Sequence, residues 1–130
     1  MAGYEDQGAQ ERGGKRCIRA LRRAIILHEI ERRSSESDLS AIMIATLLGI
    51  TPRYVHLLLE ETGKSFTRHV LERRLELAVM LLRDPRWSHR KIADIAAEVG
   101  FTDLSYFNRV FRRHYGETPS AFRAAAPSSE

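Results

Sequence analysis

One pattern occurs twice in this chain. Ala45, Leu48, Gly49, Ile50 and Thr51 return 51 residues later as Ala96, Val99, Gly100, Phe101 and Thr102. Past the turn the offset grows to 52, pairing Val55 with Phe107, Leu58 with Val110 and Leu59 with Phe111. Each copy reads as a helix, a turn of three or four residues containing glycine, and a second helix, which is the helix-turn-helix pattern. The small residue at Ala45 or Ala96 lets two helices cross closely, glycine takes a positive-φ corner, and the apolar residue after it plugs a small core. The second helix of each copy is left with one buried and one free face. In a DNA-binding unit that free face enters the major groove with its N-terminal residues at base edges; in a plain helical hairpin it faces only solvent.

Punctuation along the rest of the chain gives the other elements. Met1 to Gly14 carries four glycines and almost no large apolar residue, so residues 1–15 are expected to form a flexible tail. Ile18, Leu21, Ile25 and Ile30 predict an apolar stripe on a first helix over about 16–33, opposite Arg19, Arg22, Arg23 and Arg32. Ser34 to Asp38 is a polar break, Ser40 is placed to cap a helix ended by Gly49, and Thr51-Pro52 opens another that Gly63 closes. Phe66 to Arg83 has no Gly or Pro and reads as one long helix, spanning about 27 Å. Ser88 is expected to cap a helix ending at Gly100, Thr102 to cap the next, and Thr118-Pro119 to start a short last one. The predicted fold is all-α with about seven helices. A helix-turn-helix subdomain over 16–64 and a second over 85–126 are joined by a linker helix over 65–84.

Composition narrows the partner. The 130 residues hold 21 Lys and Arg against 17 Asp and Glu, for a net charge of +4, and the pI is about 9.6; both favour a polyanion. Cys17 is the single cysteine, so no internal disulfide is available and a reducing, cytoplasmic location is expected. The longest apolar run, Ala41 to Ile50, falls well short of the roughly 20 residues of a membrane span, so no membrane partner is expected. His28, His56, His69, His89 and His114 are scattered without Cys or carboxylate at ligand spacing, so no metal or other cofactor is expected. No nucleophile elbow, phosphate-binding loop or dinucleotide glycine motif occurs, and no enzyme is predicted.

The stretch KIADIAAEVGFTDLSYFNRVFRRHYGETPSAFR, Lys91 to Arg123, resembles the second helix-turn-helix and C-terminal motif of the AraC/XylS family of bacterial transcription regulators. GITPRYVHLLLEETGKSFTRHVLERRLELAVMLL, Gly49 to Leu82, is similar to that family's first recognition helix and linker helix. The resemblance implies two subdomains bridged by a rigid helix, with two recognition helices in successive major-groove segments of double-stranded DNA. Carried over by residue, it implies that Pro52, Arg53, His56 and Leu57 face DNA from the first unit, and Asp103, Leu104, Ser105, Asn108 and Arg109 from the second. The residue pattern itself puts Phe107, Val110 and Phe111 inward, leaving Leu104, Ser105, Asn108, Arg109 and Arg112 outward. Asn108 suits adenine, Arg109 guanine or a phosphate, and Leu104 a thymine methyl or packing.

Two departures qualify the resemblance. The family carries an effector-binding or dimerisation domain in front of this unit, so this chain reads as either a fragment of a longer regulator or a short member. RNA polymerase or such a domain would then be a further partner. Leu57 stands at the repeat position of Arg109, and Glu60 and Glu61 make the first reading helix net acidic, so the two units are expected to be unequal. The alternative reading is a protein-interaction module retaining the fold, motivated by the apolar Ile42, Met43, Leu57, Leu77, Val79 and Met80.

Overall fold

Four glycines divide the chain at its sharpest corners: Gly49, Gly63, Gly100 and Gly116 all have positive φ. The computed structural model describes residues 2–125, with side chains from residue 13 onward. Among the described residues are seven α-helices and one 3-10 turn, Pro85–Trp87. The helices are α1 (Ala2–Arg33), α2 (Ala41–Leu48), α3 (Pro52–Glu60), α4 (Phe66–Arg83), α5 (Ile92–Glu98), α6 (Leu104–Tyr115) and α7 (Pro119–Ala125). The long helix over Phe66–Arg83 is as the sequence predicts.

Helix starts follow side-chain capping. Ser40, Thr51 and Ser65 each accept a hydrogen bond from the backbone N–H three residues on, at 3.2, 3.1 and 3.1 Å, satisfying donors that the first helical turn leaves open. Two expected caps are corrected. Ser88 does not start a helix but ends a 3-10 turn that Asp84 and Pro85 begin, with the Asp84 carboxylate accepting from Arg86 N–H at 2.9 Å. The following helix therefore begins only at Ile92, where Asp94 accepts from Lys91 N–H at 3.2 Å. Thr102 is likewise replaced as cap by Asp103, whose Oδ1 accepts from Tyr106 N–H at 3.2 Å. The cap of α6, Asp103, therefore lies 52 residues after Thr51, the cap of α3, which is the shift from 51 to 52 in the repeat.

α1 also departs from expectation. Helix runs back to Ala2 through the stretch read as a tail; Ala, Gln and Glu there are good helix formers, and each glycine costs only about 1 kcal/mol. Of the predicted stripe Ile30 is buried, together with Ile26, whereas Ile18, Leu21 and Ile25 are 49%, 61% and 38% exposed. Among the described residues, the apolar side chains of α1 that pack into or against a core, Ile26, Leu27 and Ile30, lie in its C-terminal third.

Two cores result. Ile26 and Ile30 pack with Ile44, Ala45, Val55, Leu58, Leu59, Phe66 and Val70 in the first. Leu75, Ala78 and Leu82 pack with Ile95, Val99, Phe101, Phe107, Val110 and Phe111 in the second. α4 thus supplies its first half to one core and its second half to the other. The first core is mainly aliphatic, whereas the second is a chain of rings: Phe101–Phe107, Phe107–Phe111 and Phe111–Phe122 lie 4.9, 5.7 and 5.6 Å apart between centroids. Offset and edge contacts of this kind add about 0.5–1.5 kcal/mol each beyond burial and fix orientation. α7 closes the second core through Phe122, over which the Arg83 guanidinium lies at 5.1 Å, and through Arg123, which donates to the Arg90 carbonyl at 2.6 Å. Trp87 packs partly buried against this core, as do Leu77 and Val79; those two are therefore partly withdrawn from the apolar surface expected of them, while Met80 stays 61% exposed.

A candidate DNA-reading surface

The two copies of the repeat fold alike down to the backbone. Ile50 N–H donates to the Ala45 carbonyl at 3.0 Å, and its counterpart Phe101 N–H donates to the Ala96 carbonyl at 2.9 Å. Ala45 and Ala96 are both buried, as are Ile44 and Ile95 beside them. The axes of α2 and α3 turn through 104°, within the range of helix-turn-helix pairs. α3 and α6 are the second helices of the two units.

On α3, Val55, Leu58 and Leu59 are buried, which rolls Arg53, His56, Leu57 and Glu60 outward. Pro52 lies in the first turn beside them, its missing N–H unneeded there. Leu57 is 47% exposed, so it is not a core residue of its unit. Further exposed apolar residues stand on α2: Ile42 and Leu47 are 65% and 55% exposed, and Met43 joins them.

On α6, Phe107, Val110 and Phe111 turn inward. Leu104, Ser105, Arg109 and Arg112 are exposed, with Asn108 half-buried beside them. The Asp103 carboxylate is engaged at the helix N-terminus, so its first role is structural. Tyr106, which sequence reasoning passed over, lies one turn before Arg109 and holds its guanidinium 5.7 Å from the ring centroid; the signal available was an aromatic residue at i−3 from an outward arginine. Arg112, Arg113 and His114 fall in the last turn, where cations also complement the helix dipole.

Between the two units stands Arg74 on α4. Its Nε donates to the Ser34 carbonyl at 2.6 Å and its Nη2 to the Glu36 carbonyl at 2.9 Å, both in the loop between α1 and α2. The same guanidinium lies 6.0 Å from the centroid of Phe101 in the turn of the second unit. Gly100 touches this joint. A Cβ there would come 2.7 Å from Arg74 Nε and 2.8 Å from the Ser34 carbonyl, so the units meet where no side chain fits. Burial lowers the Arg74 pKa from its ordinary value, yet an arginine keeps its proton at any physiological pH.

Comparison with known proteins places this geometry. Residues 44–125 match the model of a helix-turn-helix domain family. The transcriptional activator RhrA of Rhizobium meliloti (strain 1021) is 39% identical over 108 residues, 83% of this chain and 34% of that protein. The HTH-type transcriptional activator RhaR of Yersinia pseudotuberculosis (serotype O:1b, strain IP 31758) is 42% identical over 64 residues, 49% of this chain and 21% of that protein. The chain therefore spans about a third or less of these relatives. Among solved structures, the C-terminal domain of AraT, a response regulator from Geobacillus stearothermophilus, superposes with a TM-score of 0.74 at 29% identity, covering 84% of this chain and 88% of that one. An AraC-type DNA-binding domain-containing regulator from Chromobacterium violaceum gives 0.72 at 26% identity, covering 84% and 96%.

Proposed function

The chain belongs to the AraC/XylS family of helix-turn-helix regulators, and on that premise we propose that it reads a two-part operator in duplex DNA, with α6 the dominant reading helix and α3 the lesser. The observation that carries this is the contrast between matched positions. Asn108 and Arg109 on α6 stand where α3 has His56 and Leu57, and both sets lie on the outward arcs. Bidentate donors such as Arg and Asn discriminate guanine and adenine in the major groove, whereas Leu offers only apolar contact. Pro52, Arg53, Leu104, Ser105 and Arg112 complete the surface around these four, with Asp103 as the cap that orients α6.

The role needs no catalytic step and belongs to the bacterial cytoplasm, where the DNA is. The relatives named as activators support a second contact, with RNA polymerase or with a regulatory domain, through the exposed Ile42, Met43 and Leu47 of α2. The test is selection of bound duplexes from a random pool. Two short motifs about one helical turn apart are expected, the better defined one assigned to α6 by its change in Asn108→Ala. A pool with no enriched motif overturns the reading.

A further inference from the structure

We propose that the middle of α1, from Lys15 to Arg22, with the start of α3, forms a second DNA-contact site, a basic notch that grips the phosphate backbone flanking the groove α3 enters. The inference rests on the duplex-DNA reading above. Its first observation is a line along α1. Ile30 and Ile26 are the buried residues of that helix, and stepping back by four, three or four residues along the same face gives Arg22, Arg19 and Lys15. The face that is apolar against the core becomes cationic where the core ends.

The second observation is what stands opposite. Lys15, Arg16, Ile18, Arg19 and Arg22 form one wall of a concave notch whose other wall is Tyr54, in the first turn of α3. Arg22 bridges the walls, its Nη1 3.4 Å from the Tyr54 hydroxyl and its guanidinium 5.6 Å from the ring centroid. Tyr54 adjoins Arg53, on the end of α3 that leads into the major groove.

Charge identifies the occupant. From Gly13 to His28 there are five Lys and Arg and no Asp or Glu. Among the described residues only Arg23 of the five has an acidic partner, Glu61. Cations concentrated beside a reading-helix N-terminus suit phosphates, which fix register without reading sequence.

The experiment compares wild-type protein with the double variant Arg16→Ala, Arg19→Ala, both residues exposed and clear of the core, in salt titrations on a selected operator and on random duplex. The double variant is expected to weaken binding to both DNAs by the same factor and to flatten the slope of log K against log salt by about 1.8, since each phosphate contact contributes about 0.9. Ethylation of phosphates outside the α3 half-site should weaken wild-type binding and leave the double variant unchanged. Unchanged affinity and slope in the double variant, with wild type binding selectively, overturn the notch alone. A loss confined to the operator overturns it too, because it signals base reading. Wild-type protein that does not select any duplex overturns the function proposed above instead.

Discussion

Arg109 and Leu57 occupy equivalent points of the two repeats, and their chemistry separates two contributions to binding. Arg109, held beside Tyr106, is expected to lose about 1–3 kcal/mol of operator binding in Arg109→Ala and to relax preference at one base pair; Leu57→Ala should barely change DNA affinity. Binding titrations on two variants with unchanged thermal melts check this, and equal losses in both would contradict the asymmetry. A second matched pair tests the joint. Gly49 has open space where a Cβ would go, so Gly49→Ala costs only the left-handed backbone penalty, about 1–2 kcal/mol. Gly100→Ala adds overlap with Arg74 Nε and the Ser34 carbonyl, and should exceed about 3 kcal/mol by denaturant melts. The outward arc of α6 was legible in the sequence because Phe107, Val110 and Phe111 announce its inner face. The Arg74 joint was not, since it links residues forty and twenty-six positions away through backbone carbonyls and a glycine, which leave no side-chain pattern.

Each helix end is set by a few polar atoms, and the start of α4 shows how. Glu72 accepts from Lys64 Nζ at 2.8 Å and from Arg68 Nε at 2.9 Å, clamping the turn after α3 onto the linker helix. Those two hydrogen bonds hold its carboxyl far below the usual range, down to about 2. A carboxylate whose pKa is depressed on folding stabilises above its unfolded value and ceases to do so as pH falls through the folded one. Wild-type stability should therefore decline between about pH 4.5 and pH 2 by roughly 1 kcal/mol from this site, its partners being half solvated. In Glu72→Gln that decline should flatten, as read from urea midpoints across the window. Helix existence was readable from periodicity and from Gly and Pro; starts failed at Ser88 and Thr102, where Asp84 and Asp103 offered a carboxylate in a better place. The α1 stripe held at Ile30 but failed at Ile18, Leu21 and Ile25, because periodicity finds an apolar face but not whether anything lies against it.

Over the whole molecule, α4 spans both cores and Arg74 ties the α1–α2 loop to the second turn, so the angle between α3 and α6 is held by directional bonds as well as by packing. Wild-type protein should accordingly reject an operator whose half-sites, about 34 Å apart, are displaced by a single inserted base pair. Arg74→Met keeps the apolar stem and removes the two donors; it should bind the displaced and undisplaced operators more nearly alike in competition assays, whereas an unchanged ratio would show that α4 suffices. The repeat made the doubled architecture legible from the sequence alone, while the relative placement of its halves depended on the joint. No buried residue is shared between the two cores. A lineage carrying this fold is thereby free to alter one half of its address while the other half stays valid, and a new target site needs to match only half afresh.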